Sequence, residues 1–277
     1  MTNIKVSIVI PTYNDQAHII NAINSVLSQS FKNFEIIVID DGSIDNTSII
    51  LKDYIESKKI IYIHQKNSGV CSARNNGISI SSGKYISFLD SDDEWIDKDK
   101  LKKQVDFLES NENYVLVGTC GVVVDDYKNK ITDYNVSFSD LSIRKSILIK
   151  NPFLLSSVMV RKDILVKTDL FIQKDYINAE DYNLWLRISL LGKVFNLNES
   201  MVSYTLRDGG ISLNYKKDIL KGNILFIKEF KYKYSNYIIG LSFAYIKIFI
   251  YTFLSYIKNK KIKDKIIYFL FKKYRKL

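Results

Sequence analysis

The sequence predicts an α/β protein with a doubly wound, mostly parallel sheet flanked by helices, followed by a basic, helical C-terminal extension. Three observations carry this. Short apolar, β-branched runs alternate with helix-period segments through about residue 90. Each of three polar clusters, at residues 12–15, 40–43 and 90–93, stands immediately after a predicted strand. Hydrophobic content of 47% with 25% charged residues is that of a globular chain with a sizeable core.

Residues 5–10 read as a buried strand that ends at Pro11-Thr12-Tyr13-Asn14. Asp15 is placed to cap the next helix, in which Ile19, Ile20, Ile23, Val26 and Leu27 share a face. Residues 35–39 form a second strand, ended by Asp40-Asp41-Gly42-Ser43, and a helix is expected over 45–55. A third strand at 59–63 leads to a helix over 71–79, and a fourth at 84–89 closes on Asp90-Ser91-Asp92-Asp93. Further on, a helix is expected over 101–108, a strand over 114–120 and a turn at 128–133. A strand over 153–161 should run into a short helix at 162–166. Glu180-Asp181 opens a helix through residue 191, with Leu184, Ile188 and Leu191 on one face. In a parallel sheet of this type, ligands bind beyond the carboxyl ends of the strands, where the three polar clusters lie.

Asp90-Ser91-Asp92-Asp93 sets three carboxylates on one turn, an arrangement that a hard divalent cation relieves. Taken alone, the turn reads equally well as a solvated acidic loop. Asp40-Asp41-Gly42-Ser43 offers side chains for a base or ribose, with Gly42 allowing close backbone approach, though an ordinary strand–turn–helix connection looks the same. Arg74, among small residues, suits either a phosphate or an ion pair with nearby aspartates. Cys71 reads as a small packed residue. Glu180 and Asp181 sit at a helix start, where negative charge is favoured, and Asp181 can serve as a general base for a hydroxyl.

Together these segments resemble glycosyltransferase family 2, with its GT-A fold. The matching pieces are residues 6–14, 35–47, 67–77, 88–95 and 180–187, in the family's order, within a span of roughly 4–212. The resemblance implies an inverting transferase that takes a sugar from a nucleoside diphosphate sugar, with Mn2+ or Mg2+ as cofactor. It implies that Pro11, Thr12, Tyr13, Asn14 and Asp41 line the nucleotide pocket. Asp90 and Ser91 would lie on the ribose side, and Arg74 would support the diphosphate. Asp92 would be the main metal ligand with Asp90 beside it, and Asp181 the base. Glu180 and Trp185 fall on the acceptor side. The family's Tyr-Arg-x-His stretch is here Tyr204-Thr205-Leu206-Arg207-Asp208, without His, which leaves Arg207 for the diphosphate and Asp208 as a further metal candidate. His18 and His64 read as structural. Uridine is the favoured base, and surface polysaccharide such as O-antigen or capsule the favoured product.

This divides the chain into a catalytic region, 1–214, and a C-terminal segment, 215–277. Residues 1–100 would hold the nucleotide sugar, and 101–214 the acceptor. The net charge of +10 is uneven: from Tyr215 onward there are sixteen lysines and arginines against three acids. Residues 237–257 are apolar with one charge, Lys247, and a lysine-rich stretch follows. That composition suits an interfacial helix drawn to an anionic membrane surface more than a membrane span. Helices packed on the catalytic region are the alternative. Two cysteines and no secretory leader place the expectation in the cytoplasm, peripheral at the inner face of the cell membrane, beside a lipid-linked saccharide acceptor. A homodimer stays open. A nucleotidyl-transferring enzyme would show a glycine-rich basic loop after the first strand, and Pro11-Thr12-Tyr13-Asn14 is not one. A nucleic-acid-binding module is disfavoured by the continuous aliphatic sequence between the tail's lysines.

Overall fold

The computed structural model describes residues 5–172, 179–207 and 216–256. The first half runs β1 (Val6–Thr12), α1 (Ile19–Leu27), β2 (Phe34–Asp40), α2 (Thr47–Ile50), α3 (Lys52–Glu56), β3 (Ile61–His64), α4 (Val70–Ile80) and β4 (Tyr85–Phe88). Then come β5 (Glu94–Trp95), α5 (Lys100–Ser110), β6 (Tyr114–Val124), β7 (Lys130–Tyr134) and α6 (Asp140–Ser146). A 3-10 turn (Leu155–Ser157) precedes β8 (Met159–Arg161) and α7 (Lys162–Leu165). The rest is α8 (Glu180–Ser189), β9 (Lys193–Thr205), α9 (Lys216–Glu229) and α10 (Tyr237–Ser255).

The nine strands among the described residues join one sheet in the order β3-β2-β1-β4-β8-β6-β9-β5, with β7 also paired to β6. The first four are mutually parallel, as the alternation of strands and helices requires. β8 lies antiparallel to both β4 and β6, so the sheet beyond β4 is mixed. β1 is buried along its whole length, which explains its unbroken apolar run. Its side chains alternate between two cores: Val9 joins Phe88, Trp185 and Phe226 on one face, while Ile8 and Ile10 join Ile23, Leu101 and Leu108 on the other. Gly77 of α4 is needed at that contact, because a Cβ there would stand 2.5 Å from Val9 Cγ1.

The second half departs from the sequence expectations in several places. Residues 130–134, expected as part of a turn, form β7, and the turn itself is confined to Asp125–Asn129, where the two residues bond to each other. The expected 153–161 strand begins only at Met159, because Ser157 hydrogen-bonds back to Leu154 and closes a 3-10 turn. The helix expected over 45–55 breaks in two at buried Leu51. The helix expected through residue 191 ends at Ser189, and Leu191, beyond it, is exposed. Asp15 does not cap α1 with its side chain; its backbone carbonyl accepts from His18 and Ile19, and its carboxylate points elsewhere. The strand β9 gives no clear period-two signal. Its register against β6 shifts between Thr119 and Cys120, leaving polar Asn198 and Glu199 outside the pairing.

α9, α10 and the connection between them pack on the first of the two cores through Ile224 and Phe226, Ala244, and Phe230 and Tyr234 respectively. Tyr234 donates a 2.8 Å hydrogen bond to the carbonyl of Leu186. Among the described residues, no helix is long and apolar enough to cross a membrane.

Candidate active site

The carboxyl ends of β1, β2 and β4 open into one cleft of about 980 Å3. Its walls carry Pro11, Thr12, Tyr13, Asn14, Asp41, Arg74, Asp90, Ser91, Asp92, Glu180, Asp181 and Arg207, all from segments separated widely in sequence.

The β1 end is fixed by stitching to the β2 end. Asn14 takes a positive φ of 50°, which Asn tolerates, and its amide donates to Ser43 Oγ at 2.9 Å. Asn14 Oδ1 in turn accepts from the amide of Ile44. Tyr13 stands half exposed on the rim. Thr12 is buried, and its Oγ1 has no hydrogen-bond partner among the described residues, so a polar ligand atom in the cleft would satisfy it.

Asp41 lines the cleft, yet most of its acceptor capacity serves the loop before α4. It receives the amides of Ser68 and Gly69 at 2.9 and 2.8 Å and Nε2 of Gln65 at 2.7 Å. One lone pair on Oδ2 remains for a ligand. Gly42, at φ 85°, is required here, because a Cβ would lie 2.9 Å from the amide nitrogen of Asn67.

Arg74 is buried on α4, and its guanidinium forks to Asp90 Oδ1 and Glu180 Oε1, both at 2.8 Å. Burial pulls its pKa down, but the two carboxylates outweigh this and hold it above the ordinary arginine value. The residue expected to support a diphosphate therefore joins the β4 end to the start of α8. Its Nε is buried without a partner among the described residues.

The acidic turn is held from both sides. The Asp90 amide donates to Ser156 Oγ, and Ser91 Oγ donates to Asp15 Oδ2 at 2.6 Å. Asp93 is fully buried, accepting from Ser156 Oγ at 2.5 Å and from the Thr205 amide at 2.9 Å. Burial, then Asp92 and Asp90, raises its pKa well above the carboxylate range. Asp92 faces the cleft with its side chain about a quarter exposed. Burial first, then the charges of Asp90 and Asp15, lift its pKa to about 6. The Arg207 guanidinium, 3.1 Å from Asp15 and 3.5 Å from Asp92, partly offsets this crowding.

Asp181 lines the cleft from the start of α8. Asn151 Nδ2 donates to its Oδ2 at 2.9 Å and the Tyr182 amide to its Oδ1 at 2.7 Å. Burial and then neighbouring Glu180 raise its pKa to about 6. Trp185, expected on the acceptor side, does not reach the cleft. It is fully buried among Phe88, Phe153 and Phe171, because its position one turn into α8 faces the sheet. Asp208 lies outside the described residues. His18 bonds to Asp15 and His64 lies near Asp40, both as structural partners. Cys71 is buried, and burial followed by Glu180 pushes its pKa to about 12, which suits packing and not nucleophilic attack.

Sequence reading missed Asn151, Ser156 and the true role of Asp15. Ser156 follows the apolar Phe153-Leu154-Leu155 run and gives no motif signal, and Asn151 is a lone amide before Pro152.

As a donor set for a divalent cation, the cleft offers oxygen ligands only, on Asp92 and Asp90, with the charge crowding at Asp92 that a cation would relieve. Among the described residues no three His, Cys, Asp or Glu side chains form a complete cage. The residues present fit an ion that takes its remaining ligands from a bound anionic substrate or from water.

A mixed sheet whose parallel half delivers an acidic turn and two polar loops to one cleft defines a glycosyltransferase of the GT-A class. The sequence model for glycosyl transferase family 2 matches residues 7–169, and the chain belongs to that family. An Escherichia coli protein named UDP-Glc:alpha-D-GlcNAc-diphosphoundecaprenol beta-1,3-glucosyltransferase WfaP is 32% identical over 222 residues, covering 79% of this chain and 85% of that protein. S. aureus TarS 1-349 in complex with UDP-GlcNAc shares the fold, with a TM-score of 0.68 at 23% identity over 82% of this chain and 67% of that one. Mannosyltransferase PcManGT from Pyrobaculum calidifontis, in complex with GDP-Man and Mn2+, has a TM-score of 0.62 at 14% identity, covering 87% of this chain and 73% of that one. Against several other curated relatives the chain spans only about a third of their length, 27% of one and 34% of another.

Proposed function

We propose that this chain is an inverting glycosyltransferase that moves a sugar from a nucleoside diphosphate sugar, with UDP-sugars first among them, to a hydroxyl of a lipid-linked saccharide during surface polysaccharide assembly. The observation that carries this reading is the Arg74 fork. It ties Asp90, on the acidic turn, to Glu180, beside Asp181, so the proposed donor and acceptor groups line one cleft. The UDP-GlcNAc held by TarS and the diphosphoundecaprenol acceptor in WfaP's name support the substrate classes.

On this reading residues 1–100 form the donor half and 101–214 the acceptor half of the catalytic region. Thr12, Tyr13, Asn14 and Asp41 receive the base and ribose, the orphaned Thr12 hydroxyl gaining a partner. Asp92, with Asp90, would hold Mn2+ or Mg2+, which supplies neutralising charge to the diphosphate as it leaves; the Mn2+ bound to PcManGT supports that choice of ion. Arg207 is within reach of the same wall and adds a second positive charge there.

Asp181 takes the proton from the acceptor hydroxyl. The freed oxygen lone pair forms the new bond to the anomeric carbon as the bond to the diphosphate oxygen breaks, and the nucleoside diphosphate departs with that electron pair on the opposite face. Asn151 keeps the base in place through its 2.9 Å hydrogen bond. Burial, and then the neighbouring Glu180 carboxylate that pairs with Arg74, raise the pKa of Asp181 and make it a better proton acceptor. A panel of UDP-sugars with undecaprenyl diphosphate-linked saccharides tests the reading. UDP release that depends on acceptor, and is lost in Asp181→Asn while UDP still binds, is the expected outcome. Acceptor-dependent release that survives Asp181→Asn would assign the base elsewhere.

A further inference from the structure

Among the described residues the outer face of α10 has no partner, and its inner face explains why that outer face carries no charge. Lys247 is the only charged residue of Tyr237–Ser255. It does not point outward. Its Nζ donates to the carbonyl of Ile149 at 2.5 Å, and burial, then Lys150, lowers its pKa. On the same inner side a Cβ on Gly240 would lie 2.6 Å from Leu148 Cβ, and Asn236 donates to the carbonyl of Lys145. Ala244 is buried against the core. The helix is thereby clamped to the segment 145–149, just before Asn151, the partner of Asp181.

Exposed on the outside are Ile238, Tyr245, Phe249 and Phe253, with Tyr256 just past the helix end, at spacings of seven, four, four and three residues. They form a helical stripe interrupted only by exposed Ser242 and flanked by Ile239 and Ile246. The exposures of the five run from 50% for Tyr245 to 79% for Tyr256. Monomeric surfaces seldom leave a stripe of this kind to water. Lys228, Lys231 and Lys233 are exposed just ahead of it, and residues 257–277 carry nine lysines and arginines against Asp264. A second copy of the chain would bring the same positive charge against itself, whereas an anionic bilayer complements it.

We propose that this stripe is a membrane seat: α10 lies in the interfacial plane of an anionic bilayer, with Phe249 and Phe253 inserted and the lysines on the headgroups. Its inner clamp fixes the acceptor wall, through 145–149 and Asn151, relative to the lipid surface. The partner's identity as the acceptor's own membrane rests on the transferase reading; the binding itself does not.

The test is flotation of the full chain with phosphatidylcholine vesicles, with and without phosphatidylglycerol, alongside calorimetric binding of UDP. Wild type should float with the anionic vesicles and much less with phosphatidylcholine alone. The exposed pair Phe249→Ser/Phe253→Ser should lower partitioning about tenfold or more, with UDP binding and melting temperature unchanged. Wild type that stays at the bottom with both vesicle types, or a double variant that floats like wild type, overturns the seat. So does concentration-dependent dimerisation that the double variant abolishes while vesicle binding is absent, which assigns the stripe to a second copy. Vesicle binding without UDP binding would instead spare the seat and count against the transferase reading.

Discussion

Asp181 and Glu180 are adjacent carboxylates given different partners, an amide for one and a guanidinium for the other. The proposed base, Asp181, has its pKa raised to about 6 by burial and then by its neighbour Glu180. A raised carboxylate is charged only above that value, so transfer should fall as pH drops through about 6, and a pH–rate profile in the presence of saturating donor checks it. The Asn151 hydrogen bond holds that pKa down, so Asn151→Leu should move the acid limb to higher pH as well as lower the rate. Asp181→Asn should cut kcat by about 10²–10⁴-fold, with little change in UDP affinity. Arg74→Met leaves two carboxylates in a largely buried setting without their shared cation. A loss of about 3–5 kcal/mol in chemical denaturation is expected, because breaking such a pair strands its charge.

At the scale of elements, the parallel half was legible because burial on both faces writes itself as uninterrupted β-branched runs, as at Val6-Ser7-Ile8-Val9-Ile10. The residues that end those strands were legible too, since Pro11, Gly42 and the acidic turn each interrupt an apolar pattern abruptly. β9 was not, because its register shift puts polar Asn198 and Glu199 where a period-two reading needs alternation. Nor were Asn151 and Ser156, whose parts depend on what α8 and the acidic turn after β4 bring beside them in space. Trp185 shows the opposite error: its place in a matched motif suggested contact with a ligand, while its helix phase turns it into the core. The α4–β1 contact offers a quantitative test. Gly77→Ala forces a methyl against Val9 and should cost about 1–3 kcal/mol, read as a lower melting temperature. Val9→Ala in the same chain should recover part of that loss.

The sequence is mildly acidic through residue 214 and strongly cationic after it, and the described helices of the cationic part pack on the body of the fold. α9 and α10 share the core that lies beneath α8, so the helix that begins with the candidate base and the helix with the apolar outer stripe rest on one packed layer. Asp92 and Asp181 both line the one cleft at the strand ends, whose volume is about 980 Å3. The proposal that this cleft takes a nucleoside diphosphate with a divalent cation is tested most directly by calorimetric titration of the chain with UDP. The titration is run in Mn2+, then in excess chelator, and repeated with Asp92→Ala. Saturable binding that needs the metal and vanishes in Asp92→Ala is the expected result. No binding of UDP, GDP or dTDP under either condition would contradict it and leave a family member that has lost its donor site.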